Sequence, residues 1–133
     1  MMYLLDTNII SDLIRNPAGR AALALADRGD TDVVTSVIVA GELRYGCRKK
    51  GSTRLTERVE AVLAEIEVLG LDARVSEDYG SIRCDLEARG QIIGGNDLWI
   101  AAQARSLGLV LVSDNEGEFS RVDGLQLENW LSA

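Results

Sequence analysis

Histidine is missing altogether from this 133-residue sequence. Its absence removes Ser-His-Asp and Cys-His catalysis, a histidine general base and histidine-ligated zinc. Cysteine is scarce: Cys47 and Cys84 stand far apart and form no CxxC pair. Without a secretory signal they read as reduced structural thiols. No apolar run approaches the ~20 residues of a membrane span. No leader is visible, because the start lacks basic residues and Asp6 interrupts the first apolar run almost at once. The expectation is a cytoplasmic protein with no membrane contact. Positive charge is in the minority, and the net charge of −7 opposes nonspecific binding to nucleic acid. It leaves room for a local basic patch or a basic partner. Aromatics make up 5 %, too few for extended base stacking. Tyr45 and Trp99 read as core residues. Pro17 is the single proline. With no repeats, low-complexity segment or linker, residues 1–133 read as one domain.

What remains is a chain that is 47 % hydrophobic and 26 % charged, enough apolar material for a real core. Short apolar segments alternate with amphipathic ones. Strands are expected at 2–6, 33–35, 68–71, 109–113 and 125–127. Helices are expected at 9–14, capped by Asn8; at 18–27; at 37–50, capped by Ser36 and closed by Gly51; and at 53–66. Two more follow, one capped by Ser76 and ending near Gly90, the other over 97–107 and closed by Gly108. Strands that are apolar throughout, without polar alternation, imply a mainly parallel sheet covered on both faces. The fold class is therefore α/β, a three-layer α/β/α sandwich. In such sheets ligands bind at the carboxyl ends of the strands.

Four segments stand out because they carry acids in apolar surroundings. "MMYLLDTN" ends in Asp6. "SVIVAGELRYG" holds Glu42 as its only acid. "GGNDLWIAA" places Asp97 at the mouth of an apolar helix. "LVLVSDNEGEF" offers Asp114, Glu116 and Glu118 just past a strand. Each has a plain structural explanation. Asp6 suits a turn, Asp97 suits a helix dipole, Glu42 suits a pair with Arg44 or Arg48, and residues 114–118 suit a polar loop. A buried carboxylate must be paired, protonated or metal-bound, so four of them at element ends are better explained by one shared site. Converging carboxylates without His or Cys make an all-oxygen site suited to Mg2+ or Mn2+.

These stretches match a known family. With "YLLDTNIISDLIR", "TSVIVAGELRYG", "GGNDLWIAAQARSLGLVLVSDNEGEF" and "RVDGLQLENW" in this order and spacing, the chain resembles the PIN-domain ribonucleases. Within them it resembles the VapC toxins of bacterial toxin–antitoxin pairs. The resemblance implies that Asp6 and Asp97 are the main Mg2+ ligands, with Glu42 completing the acidic cluster. Many PIN domains carry Thr-x-Asp after the fourth strand. Here that segment is Ser113-Asp114-Asn115, so Asn115 occupies the usual acid position. Glu118 is expected to serve in its place, with Asp114 as the alternative. Thr7, Asn8 and Ser113 fall on polar positions that orient acids or water.

The implied activity is metal-dependent hydrolysis of RNA, tRNA foremost, leaving 5′-phosphate and 3′-hydroxyl ends. The implied partners are a VapB-type antitoxin, a second copy of the chain, and a larger assembly in which only the antitoxin reads DNA. Six of the 14 basic residues lie between 44 and 58: Arg44, Arg48, Lys49, Lys50, Arg54 and Arg58. They suit RNA phosphates and equally suit a solvated helix end. Two rivals stand beside this reading. One is a PIN-like binding module whose site has decayed, supported by Asn115. The other is an aspartate-based phosphatase or receiver domain built on Asp6. It is weakened because Asn8 stands where such a phosphatase needs a second aspartate, and because no strand precedes that of Asp6.

Overall fold

The computed structural model describes residues 2–29 and 32–132. Five strands form one sheet: β1 (Tyr3–Leu5), β2 (Val33–Ser36), β3 (Glu67–Leu69), β4 (Val110–Val112) and β5 (Gln126–Glu128). Their order is β3-β2-β1-β4-β5, and all four pairings are parallel. The expected sheet was mainly parallel, and this one is wholly so. The inner strands are buried on both faces, with Leu4, Leu5, Val33, Val34, Leu111 and Val112 all in the core. That is why they carry no polar alternation.

The helices follow from the strand order. α1 (Thr7–Arg15) and α2 (Arg20–Arg28) connect β1 to β2. α3 (Val37–Lys50) and α4 (Thr53–Glu65) connect β2 to β3. Both connections step the same way across the sheet, and right-handed crossovers put all four helices on one face. α5 (Ala73–Ala88), α6 (Gly95–Leu107) and α7 (Glu116–Phe119) serve connections that step the other way, so they cover the opposite face. The direction reverses between β1 and β4. A crevice opens at the carboxyl ends of the strands at such a switch point.

Several local assignments shift. Asp6, not Asn8, caps α1, accepting the Thr7 N–H at 2.8 Å. The helix was expected from Ile9; it starts two residues earlier, at Thr7, which moves the cap back to Asp6. α5 starts at Ala73 with Asp72 as its cap, not at Ser76. α6 starts two residues before Asp97, so that acid sits in the first turn. α7 falls where a loop was expected, since four residues carry too little periodicity to be seen. Gly51 and Gly108 do close α3 and α6, each in the left-handed region, with φ of 63° and 67°. Near the carboxyl end of the described chain, Trp130 packs on Tyr3 with ring centroids 5.5 Å apart.

Candidate active site

Asp6 ends β1 and starts α1, so the switch point fixes its carboxylate. It is only 4 % exposed. Oδ1 accepts the Thr7 amide, and Oδ2 accepts the Ser113 hydroxyl at 2.7 Å and the Asn8 amide at 3.4 Å. Burial pushes its pKa above the ordinary carboxylate value, and the charge of Glu42 adds to that. The hydrogen bonds from Ser113, Thr7 and Asn8 pull it back down.

Glu42 projects from the second turn of α3. It pairs with neither Arg44 nor Arg48: the Thr7 hydroxyl donates to its Oε1 at 2.8 Å. Asp97 comes from the first turn of α6, and Glu118 from α7. The Asn115 amide joins these two, donating to Asp97 Oδ2 at 3.0 Å and to Glu118 Oε2 at 2.6 Å. The Gly94 N–H donates to the other oxygen of Glu118 at 3.0 Å. Ser113 links the two halves, since its Oγ also accepts the Asn115 N–H at 3.0 Å. One chain of hydrogen bonds thus runs Glu42–Thr7–Asp6–Ser113–Asn115 and ends on Asp97 and Glu118. The four expected acids share one site.

Asp114 does not join them. It is exposed, and its carboxylate accepts the Asn129 amide at 3.0 Å. Its backbone N–H donates to Asn8 Oδ1 at 3.0 Å. Asn8 therefore holds both Asp6 and the turn after β4. Asn115, which occupies the usual acid position, acts as a donor between two acids.

The electrostatics are those of crowded like charges. Asp97 is pushed up to about 7, first by burial, then by Glu118, with Asp6 and Glu42 adding to it. Glu118 moves the opposite way, held down by Asp97 and Asn115. The two acids titrate as a coupled pair, with Asp97, the more buried, raised and Glu118 lowered. Among the described residues no three acidic or thiol side chains are already closed into a cation cage. The ligand candidates that converge are nevertheless all carboxylates, and Asp97 among them is raised to about 7. Both features suit a hard divalent cation, which would relieve the same repulsion.

This carries a pH signature. Asp97 takes up its proton more readily folded than unfolded, so the unfolded chain loses that proton first as pH rises. Without metal, stability should fall between about pH 4 and pH 7 through this group. Thermal melts in EDTA across that range test it. Above pH 7, where the acid is ionised, adding Mn2+ should restore melting temperature. A melting temperature that rises steadily from pH 4 to 7, with no such component lost in Asp97→Asn, would contradict it.

The basic residues divide. Arg44 is committed to Glu60 of α4, with both nitrogens at 2.9 Å. Arg48, Lys49, Lys50, Arg54 and Arg58 are exposed. Lys49 and Lys50 rim an apolar groove of about 600 Å³ between α1, α3 and α4, whose walls include Ile14, Leu43 and Leu55 and whose inner end reaches Glu42. Tyr45 is no core residue: it is 65 % exposed, because α3 turns that side away from the sheet. Trp99 is half-buried and stacks on Tyr79, with ring centroids 3.8 Å apart.

Comparison with known proteins agrees with this fold. The sequence pattern of the PIN domain matches residues 3–125. Ribonuclease VapC2 of Haemophilus influenzae is 38 % identical, over 98 % of this chain and 99 % of its own. The tRNA(fMet)-specific endonuclease VapC of Shigella flexneri is 36 % identical, over 98 % of both chains. The crystal structure of VapBC2 from Rickettsia felis, bound to a promoter DNA fragment, matches with a TM-score of 0.89 and 34 % identity. That match covers 98 % of this chain and 99 % of the other.

Proposed function

Because the chain belongs to the PIN-domain family, among ribonucleases of the VapC type, we propose that it is a divalent-metal-dependent endoribonuclease and the toxin of a toxin–antitoxin pair. The convergence of Asp6, Glu42, Asp97 and Glu118 at the switch point carries this reading. Asp6 and Asp97 are the cation ligands, with Glu42 and Glu118 beside them; Mg2+ is the natural ion and Mn2+ its substitute. When bound, the cation stabilises charge on the scissile phosphate and acidifies water.

The remaining work falls to side chains of this chain. Glu42, steadied by Thr7 through one oxygen, keeps the other oxygen without a partner among the described residues and can accept a proton from the attacking water. Ser113 and Asn115 fix the carboxylates of Asp6 and Asp97 before substrate arrives, which spares reorganisation during reaction. Water attack needs no 2′-hydroxyl, so the products carry 5′-phosphate and 3′-hydroxyl ends. Lys49, Lys50 and Arg48 supply phosphate contacts.

The partner reading rests on the groove between α1, α3 and α4. Its apolar walls and its opening onto Glu42 suit an apolar antitoxin segment that brings a basic side chain to the acids. DNA contact belongs to the antitoxin. A homodimer in the cytoplasm completes the assignment, with tRNA as the first substrate class.

The test is cleavage of total tRNA by the purified, antitoxin-free chain with Mg2+, with Mn2+ and with EDTA. A discrete metal-dependent cut is expected. If neither tRNA nor other cellular RNA is cut and Mn2+ does not bind at low-millimolar concentration, the site is a decayed one and the enzyme reading fails.

A further inference from the structure

Three arginines outside the acidic cluster donate to backbone carbonyls around the segment that carries Glu118. Arg89, just past α5, reaches the carbonyl of Arg121. Arg105 of α6 reaches that of Asp123 at 2.9 Å while pairing with Asp78 at 2.7 Å. Both fix the backbone that follows α7. Arg121 does something different. Its guanidinium donates to the Ile92 carbonyl at 3.0 Å, which ties the end of α7 to residues 89–94, the connection between α5 and α6.

That connection needs outside support. Between Arg89 and Gly94 only Ile93 is buried. Gly90 holds a φ of 67°, and Gly94 enters α6 with no side-chain cap. Yet the connection governs two groups of the site. The Gly94 N–H donates to Glu118 Oε1 at 3.0 Å. A Cβ on Gly94 would stand 4.0 Å from Asp97 Oδ2, so this backbone passes directly beside the Asp97 carboxylate. Ile92 lies just before Gly94, and Arg121 just after Glu118. The Arg121–Ile92 and Gly94–Glu118 bonds therefore join the same two segments and close a ring, in which each keeps the other aligned. Glu118 is held down by Asp97 and Asn115 first, and the nearby charge of Arg121 adds to this.

We propose that Arg121 is a positioning residue of the nuclease site, clamping the α5–α6 connection onto α7 so that Glu118 and Asp97 stay aimed at the cation. It touches neither the cation nor the RNA. The proposal rests on the ribonuclease reading above.

The test uses the full-length chain as wild type, Arg121→Met and Arg121→Lys. Methionine keeps an apolar stem and removes every donor. In wild type the Gly94 amide should be protected from hydrogen exchange; free exchange there would mean that no clamp exists. Arg121→Met should speed that exchange. It should also weaken Mn2+ binding and lower kcat, each by roughly ten- to a hundredfold, with KM little changed. Arg121→Lys can still donate to Ile92 and should recover part of all three. An Arg121→Met protein that only melts lower, with Gly94 exchange, Mn2+ affinity and kcat as in wild type, would make Arg121 a stabilising contact and overturn the clamp. A rise in KM alone would make it an RNA contact and overturn the clamp too. If exchange and Mn2+ affinity change as expected while no protein cuts RNA, wild type included, the clamp stands and the ribonuclease reading falls. Wild type that neither binds Mn2+ nor cuts RNA would overturn both.

Discussion

Asp97→Asn should abolish the proposed RNA cleavage and leave a protein that melts at a higher temperature than wild type in metal-free buffer above pH 7. Both effects come from one position. The Asp97 carboxyl is half-buried, and burial first, then the neighbouring Glu118, Asp6 and Glu42, push it up to about 7. An amide of the same shape still accepts from Asn115 but adds no charge to that crowd, so repulsion falls. As a cation ligand the same amide is poor. Losing charge stabilisation worth several kcal/mol slows reaction by roughly a thousandfold or more. Cleavage within tenfold of wild type would remove Asp97 from the site. A drop in melting temperature above pH 7 would mean that repulsion is not what the side chain contributes. The gain should shrink toward pH 4, where wild type is protonated too.

Phe119→Ala should cost about 3–5 kcal/mol in urea unfolding. Phe119 is 1 % exposed and is the largest fully buried side chain in the core. It closes α7, which has four residues and cannot persist without tertiary packing. The ring therefore anchors more than itself. Glu118 precedes it and reaches back to the Gly94 N–H and the Asn115 amide. The truncated ring should thus reduce activity even in the molecules that stay folded. Phe119→Leu keeps most of the volume and should fold with a smaller loss, which separates the anchor effect from global collapse. A Phe119→Ala protein within about 1 kcal/mol of wild type would show that α7 is held by something other than this ring.

The α/β frame was legible because strands buried on both faces cannot hide their apolar runs, and Gly51 and Gly108 mark helix ends by backbone need alone. Asp6, Glu42 and Asp97 were legible for a related reason, since a carboxylate among apolar residues demands an explanation. Glu118 was reached through resemblance, because "EGEF" looks like any polar loop. The hydrogen bonds that join the acids were not legible. Ser113 and Asp6 are 107 positions apart, and no local pattern announces that contact. Tyr45 was misplaced because hydrophobic periodicity cannot say which side of a short amphipathic helix the sheet will take. Arg44 looked free for RNA because Glu60, its partner, lies 16 positions away on another helix.

The strand order also governs when the site can exist. β1 leaves the ribosome first but lies at the centre of the sheet, between β2 and β4. At roughly 5–20 residues per second, the 107 positions between Asp6 and Ser113 take on the order of 5–20 seconds to synthesise. Through that interval a nascent chain holds Asp6 without the Ser113 hydroxyl that aims its Oδ2, and without Glu118. Assembly is a single late event, coupled to emergence of β4 and α7. A ribosome that stalls before residue 110 therefore releases an inert fragment, and translation itself sets the earliest moment at which this protein can act.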